Sequence, residues 1–207
     1  SQFWRMSNMS YQECRLCNIW AGNYQQVFDQ PYAKDENYMA LVSIGAFVEG
    51  WTLVVPRTHV YSMRTFYNLP TFWNFVQHTS QHIQDTYGKK VICFEHGANS
   101  CDSETSCGTH HAHLHLVPFE ESLTKDILAE RFWKKILAQN VEEMVTDQEY
   151  LLYSDLERTD ELTEVYVHIL ETGESQYFRK MLAKRVGVSD HSYKTAPFIE
   201  QAKKSFE

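Results

Sequence analysis

Histidines crowd one short stretch of this sequence. His110, His111, His113 and His115 are four of its ten histidines, and the last three alternate with Ala112, Leu114 and Leu116. Alternation at period two is the pattern of a strand, whose successive side chains point to opposite faces. Residues 111–118 therefore read as a strand that lines three imidazoles along one face and packs its apolar residues on the other. Such a row has three readings: a cluster without chemistry, a metal site, or chemistry at phosphorus, with one imidazole attacking while the others position the substrate. Imidazole suits the last task because its neutral form is nucleophilic near pH 7 and it can take or release a proton there. Attack on phosphorus would give a phosphoramidate that water or another acceptor breaks, turning one hard displacement into two easier ones.

A second group with chemical potential is Cys14-Arg15-Leu16-Cys17. A lone C-x-x-C reads as a metal site, a redox pair or coincidence. The redox reading expects a strand-to-helix junction near a cis-proline, and neither is evident. Zinc needs about two further ligands from elsewhere. The five cysteines, Cys14, Cys17, Cys93, Cys101 and Cys107, are an odd number. With no secretory pattern at the amino terminus, they favour thiols or metal ligands over a disulfide framework, and a cytoplasmic location is expected. The net charge of −8 argues against a grip on a nucleic-acid polymer, which needs a basic surface to displace counterions, but leaves room for a small phosphorylated ligand. No run of about 18 apolar residues is present, so no membrane partner is expected.

The elements that must position these residues follow from periodicity. Residues 37–43 and 51–55 read as strands separated by Gly45 and Gly50 and stopped by Pro56. Residues 66–87 place Leu69, Phe72, Trp73, Phe75, Val76, Ile83 and Tyr87 at mostly three-to-four spacing, an amphipathic helix with Gly88 as its C-cap. Residues 91–95 form a third strand, followed by a polar loop from Ala98 to Gly108 and then the histidine strand. Beyond it, residues 123–145 read as mostly helical, 149–155 and 164–170 as two strands, 175–186 as a helix ended by Gly187, and a short helix is expected from Pro197. The fold class is α+β: two strands, a long helix and two more strands make a first unit over residues 1–120, with an α/β extension over 121–207 packed on it. Whether the extension's strands join the same sheet or form a flanking lobe is open at this level.

His111-Ala112-His113-Leu114-His115-Leu116-Val117 matches the H-φ-H-φ-H-φ-φ signature of the histidine-triad (HIT) superfamily of nucleotide hydrolases and transferases. Gly50-Trp51-Thr52-Leu53-Val54-Val55-Pro56-Arg57-Thr58-His59 is similar to its strand-and-turn pattern G-H-x-L-V-x-P-x-x-H. Phe94-Glu95-His96-Gly97 falls where members carry the strand before the phosphate loop. The resemblance covers residues 14–120, and Gln176-Tyr177-Phe178-Arg179-Lys180 is similar to an extension in some larger bacterial members. It implies that His113 is the nucleophile that carries the nucleotidyl group and that His115 bonds the phosphate or leaving group. It also implies a structural zinc held by Cys14, Cys17, His59 and His111, the ligands the lone C-x-x-C lacked.

The resemblance further implies phosphate contacts from Ser106, Cys107 and Gly108, and a base-and-ribose cradle near Ser43 and Ile44. Asp102 and Glu104 are unusual in a phosphate loop and would suit a cationic leaving group. Two positions depart from the pattern. Trp51 stands where many members have a histidine that supports the catalytic one, and tryptophan can donate a hydrogen bond but not accept one. Glu95 stands where many have asparagine; it either accepts a ring N–H from His113 or His115, or is a solvated carboxylate. The basic helix face with Arg179 and Lys180 either closes over phosphates or is solvated, and His96 has no assigned role. The implied activity is hydrolysis at the α-phosphate of a dinucleoside polyphosphate or nucleoside phosphoramidate, releasing a nucleoside monophosphate. A nucleotidyltransferase or phosphorylase, or a nucleotide-binding module with little turnover, is the alternative. Many members dimerise, so a homodimer is a further expectation.

Overall fold

The apolar runs of the first half become strands close to where the sequence places them, and the second half adds strands to the same sheet. The computed structural model describes residues 14–100, 111–189 and 203–205. Helix α1 (Arg15–Trp20) precedes strands β1 (Ala33–Lys34), β2 (Tyr38–Val42) and β3 (Thr52–Pro56). Helix α2 (Pro70–Tyr87) leads to β4 (Val91–Gly97) and β5 (Leu114–Pro118). Then come α3 (Thr124–Glu130), β6 (Lys134–Leu137), α4 (Val141–Val145), β7 (Tyr150–Ser154), β8 (Glu164–Ile169) and α5 (Tyr177–Val186). The eight strands form one sheet in the order β1-β2-β3-β5-β4-β7-β8-β6, and every pairing is antiparallel. The fold is α+β, an antiparallel sheet with a long helix.

Helix α2 begins with a proline in its first turn, where the missing N–H costs nothing, and ends on Gly88 in the left-handed conformation. Its apolar stripe, Phe72, Trp73, Phe75, Val76 and Ile83, packs on Ala40, Val54, Leu114, Leu116 and Cys93 of one sheet face. Cutting Phe72 back to alanine would cost about 3–5 kcal/mol. The opposite face is shared. Leu16, Ile19 and Trp20 of α1 cover Met39, Leu41, Leu53 and Val55 at one end. Phe178, Leu182 and Ala183 of α5, with Leu123, Ile127 and Trp133, cover Ile92, Phe94, Leu151 and Tyr153 at the other. Strand β5 runs between these two patches, because it pairs β3 on one side and β4 on the other. Gly50, at φ +88°, makes the turn into β3, and a Cβ there would lie 2.4 Å from the Tyr87 ring, so only glycine fits.

Two expectations are corrected, and one open choice is decided. The histidine strand is shorter than its alternation suggests: it starts at Leu114, so His111 and His113 precede it. The reason is local, since the Ala112 N–H donates to the Val60 carbonyl (2.7 Å) rather than to a neighbouring strand. The stretch 123–145 is helical at both ends, but a strand interrupts it. Its first helix stops where Arg131 turns extended, Phe132 faces solvent at 82 % exposure, and Lys134–Leu137 pairs with β8 as an outermost strand. Its lysines suit an edge that must not recruit another strand. Finally, β7 pairs with β4 from Cys93 opposite Ser154 to Gly97 opposite Tyr150, so the strands of the second half continue the sheet of the first. Of the short helix expected from Pro197, residues 203–205 lie among those described, and they are helical. No described helix is long and apolar enough to cross a membrane.

Candidate active site and metal cluster

The two cysteines meet because one caps the helix that carries the other. Cys14 is the N-cap of α1, and its sulfur accepts the Cys17 backbone N–H at 3.4 Å, which sets both thiols on one side of the first turn. His59, in the loop after β3, brings its Nδ1 to 3.1 Å from Cys17 Sγ. His111 brings its Nδ1 to 3.4 Å from Cys17 Sγ and 3.6 Å from Cys14 Sγ. The four donor atoms all lie within 4.8 Å of one another. The His111 Nε2–H donates to the Pro56 carbonyl at 2.7 Å, so its Nδ1 keeps a lone pair aimed at the thiols.

Burial, then the neighbouring Cys14, raises the Cys17 thiol to about 12. Burial, opposed by the bond to the Pro56 carbonyl and aided by the facing His59 and His113, lowers His111 to about 4. Both shifts favour neutral groups, which is what a converging donor set does when no cation compensates it. Two sulfurs and two imidazole nitrogens, buried and already oriented, suit a tetrahedral divalent metal, so these four residues could hold one. The remaining described cysteine, Cys93, is buried in the α2 core, and burial pushes its thiol well up.

The other two triad rings lie side by side, with centroids 4.8 Å apart. The His113 Nδ1–H donates to the His111 carbonyl at 3.0 Å, so in the neutral ring Nε2 carries the lone pair. His115 sits in mid-sheet, opposite Leu53 on β3 and Phe94 on β4, and its ring stacks on Phe94 at 4.7 Å. Trp51 Nε1–H donates to His115 Nδ1 at 3.0 Å. Burial is the main cause that lowers both rings, His113 to about 4 and His115 well below the ordinary value, and charge on neighbouring His96 acts on each in the same direction.

His96 is the residue that sequence reasoning missed. His96 lies two residues beyond Phe94, the cross-strand partner of His115, so it shares their face of the sheet, and its charge acts on His113. Its ring packs edge-on to Phe178 at 5.3 Å, and burial lowers it to about 4. The signal was strand parity, since His96 and Phe94 alternate about Glu95 as the triad residues alternate about Leu114.

Glu95 is corrected for the same reason. It points to the α2 face, where it accepts hydrogen bonds from Met63 N–H (2.6 Å), the Tyr67 hydroxyl (2.7 Å) and the Tyr150 hydroxyl. It is 1 % exposed, so it is neither a solvated carboxylate nor a partner of the imidazoles, and substrate contact is closed to it. Burial raises its pKa while those three hydrogen bonds oppose the rise.

Arg179 is 4 % exposed, which removes the solvated reading for this residue. Its guanidinium lies 5.0 Å over the Trp51 ring and 5.2 Å over Phe47, and donates to the Gly45 carbonyl at 2.6 Å. Lys180, its neighbour, is exposed. Ser43 follows β2 and is tied to this corner through its N–H to the Trp51 carbonyl (3.0 Å), whereas Ile44 packs with Phe28 and Val42. Ser106, Cys107 and Gly108, with Asp102, Glu104 and His110, lie outside the described residues.

A cavity of about 630 Å³ opens instead beside β6, β7 and β8, and no triad histidine lines it. Among its charged groups, Lys135 pairs with Glu164 and Arg158 with Asp160. Asp155 there accepts from Ser122, Thr124 and Tyr153. Convergent imidazoles identify the candidate site better than volume does.

No family model and no curated protein matches the chain. Solved structures similar to it include a member of the HIT family of proteins from Bacillus subtilis, 19% identical, which covers 58% of this chain and 97% of that one with a TM-score of 0.43. A hypothetical histidine triad nucleotide-binding protein from Sulfolobus tokodaii strain 7 is 20% identical over 53% of this chain and 70% of its own, with a TM-score of 0.40. A HIT family hydrolase from Clostridium thermocellum is 15% identical over 52% and 90%, with a TM-score of 0.38.

Proposed function

We propose that this chain is a histidine-triad hydrolase that attacks the α-phosphorus of a nucleotide conjugate through His113 and releases a nucleoside monophosphate. The observation that carries the reading is the 3.0 Å bond from His113 Nδ1–H to the His111 carbonyl beside a second imidazole. It leaves the His113 Nε2 lone pair available without a separate base. Attack forms a P–Nε2 bond and breaks the bond to the leaving group, which departs with the electron pair. The ring is then cationic, and the His111 carbonyl stabilises its Nδ1–H. His115 Nε2–H would bond a non-bridging phosphate oxygen as charge builds there. Water then attacks phosphorus, the P–Nε2 pair returns to His113, and the water's proton leaves to solvent. By the resemblance, histidine at 115, where transferring branches carry glutamine, supports water as acceptor.

Zinc is the metal that suits Cys14, Cys17, His59 and His111, and it would supply a structural cross-link. Those residues fix the His111 main chain, and through its carbonyl the orientation of His113. The test is intact-mass detection of a nucleotidyl adduct after mixing the protein with a panel of nucleotide conjugates, with proteolytic mapping to His113. His113→Ala should abolish the adduct and lower turnover by about 10³-fold or more. A protein that forms no adduct and hydrolyses no conjugate would overturn the reading.

A further inference from the structure

Trp51 does more than replace a histidine. An indole has one polar hydrogen and no acceptor, so the ring nitrogen 3.0 Å from its Nε1 must carry a lone pair. That nitrogen is His115 Nδ1, and the His115 proton therefore sits on Nε2. Adding a second proton would set two N–H groups head to head inside a packed corner. The corner is rigid: Trp51 is fully buried, Phe94 stacks on the His115 ring, and Phe178 stacks on Phe94 at 4.8 Å. On the indole face lies Arg179, held by Gly45, and a cation there draws electron density from the ring and strengthens its N–H as a donor. Among the described residues, the charged or titratable groups that act on His115 are His113, His96 and Arg179, and each is positive when charged. Burial and these neighbours act in the same direction as the tryptophan.

We propose that Trp51 is a positioning residue that locks His115 as a neutral Nε2–H donor, so that the site acts on phosphoric anhydrides and not on phosphoramidates. The inference rests on the nucleotidyl-histidine reading above. A neutral imidazole can give a hydrogen bond from Nε2–H, but to give up that proton it would have to become an anion. Only the doubly protonated ring is a useful acid near pH 7. Breaking a P–O–P bond needs no such acid, because the second ionisation of a phosphate is near pH 6 and the departing oxygen is stable as an anion. Breaking a P–N bond does need one, since the nitrogen otherwise leaves as a strongly basic amide anion. His96, the other imidazole on this face, is held neutral by burial and does not fill the gap.

The lock is tested without any assay of activity. A long-range ¹H–¹⁵N spectrum of the full ¹⁵N-labelled chain, assigned by comparison with His115→Gln, should show His115 with unprotonated Nδ1 and protonated Nε2 throughout pH 8 to 5. A proton on Nδ1, or on both nitrogens, would overturn the lock. The substrate class is tested with diadenosine triphosphate and adenosine 5′-phosphoramidate. The anhydride should be cleaved at least about 100-fold faster, the usual contribution of a general acid, and Trp51→Phe should narrow the ratio about tenfold. Comparable wild-type rates overturn the substrate assignment even if the lock holds. If neither compound is cleaved and no adduct forms, the functional reading falls with the substrate assignment, while the spectrum still decides the lock. Should Trp51→Phe fail to fold, the wild-type spectrum and rate ratio decide alone.

Discussion

At the scale of single residues, the ring nitrogens of His111, His113 and His115 differ by the partner each has already taken. Pro56 takes Nε2 of His111, the His111 carbonyl takes Nδ1 of His113, and Trp51 gives to Nδ1 of His115. On the proposed reading, one alternating sequence pattern thus yields a metal-facing lone pair, a nucleophile and a donor. His96 adds a consequence for stability. Its folded pKa of about 4 lies below the 6.5 of the free side chain, so between those pH values the unfolded chain binds a proton that the folded chain refuses. Stability from this group is complete above pH 6.5 and is lost as pH falls towards 4, by on the order of 2 kcal/mol after allowance for partial exposure. Urea denaturation of wild type and His96→Gln at pH 7.5 and 4.5 should show a smaller loss in the variant. The difference isolates His96 from Glu95, His113, His115, Glu174 and Arg179, which remain in both proteins. Equal losses would refute it. The triad and the C-x-x-C were legible in the sequence because type and spacing carry them. His96 was not, because only a cross-strand register tells which face of β4 it shares with His113.

At the scale of elements, Glu95 ties β4 to the loop that carries Met63 and Tyr67 and to Tyr150 on β7. Replacing it with alanine leaves three buried donors without an acceptor and should cost about 3–5 kcal/mol. Glu95→Gln, which keeps an acceptor oxygen, should cost roughly 1–2 kcal/mol less. Because Glu95 faces away from the imidazoles, kcat of Glu95→Gln on any conjugate turned over should stay within about threefold of wild type. A collapse of kcat in a folded variant would return Glu95 to the site. The sequence placed β2, β3, α2 and β4 to within a few residues, since each is an apolar run closed by glycine or proline. It missed the strand within 123–145 because a four-residue edge strand is too short to show a period, and the extended Arg131 turns Phe132 outward.

At the scale of the whole molecule, the candidate metal cluster joins three distant segments: α1, the loop after β3 and the approach to β5. Purified protein should hold about one zinc equivalent by elemental analysis. Chelation should lower Tm on the order of 10 °C, since a structural metal is worth several kcal/mol and each shifts Tm by a few degrees at this size. Cys17→Ser should show the lowered Tm already and no further drop with chelator. A metal-free protein with an unchanged Tm would refute the cluster's role. That the second half would extend the sheet was not legible. Strand order is a property of long-range pairing, and residues 150–154 carry no mark of their partner.

The sheet order has a consequence for synthesis. Strand β4 has its β5 neighbour within reach soon after residue 118 emerges, but its other edge waits for β7, which ends at Ser154. At about 5–20 residues per second that edge stays open for roughly 2–7 s, an apolar strand exposed to any other nascent chain. Chains truncated before Tyr150 should keep the edge open permanently and accumulate as aggregates, so the late strands act as an internal guard for the early ones.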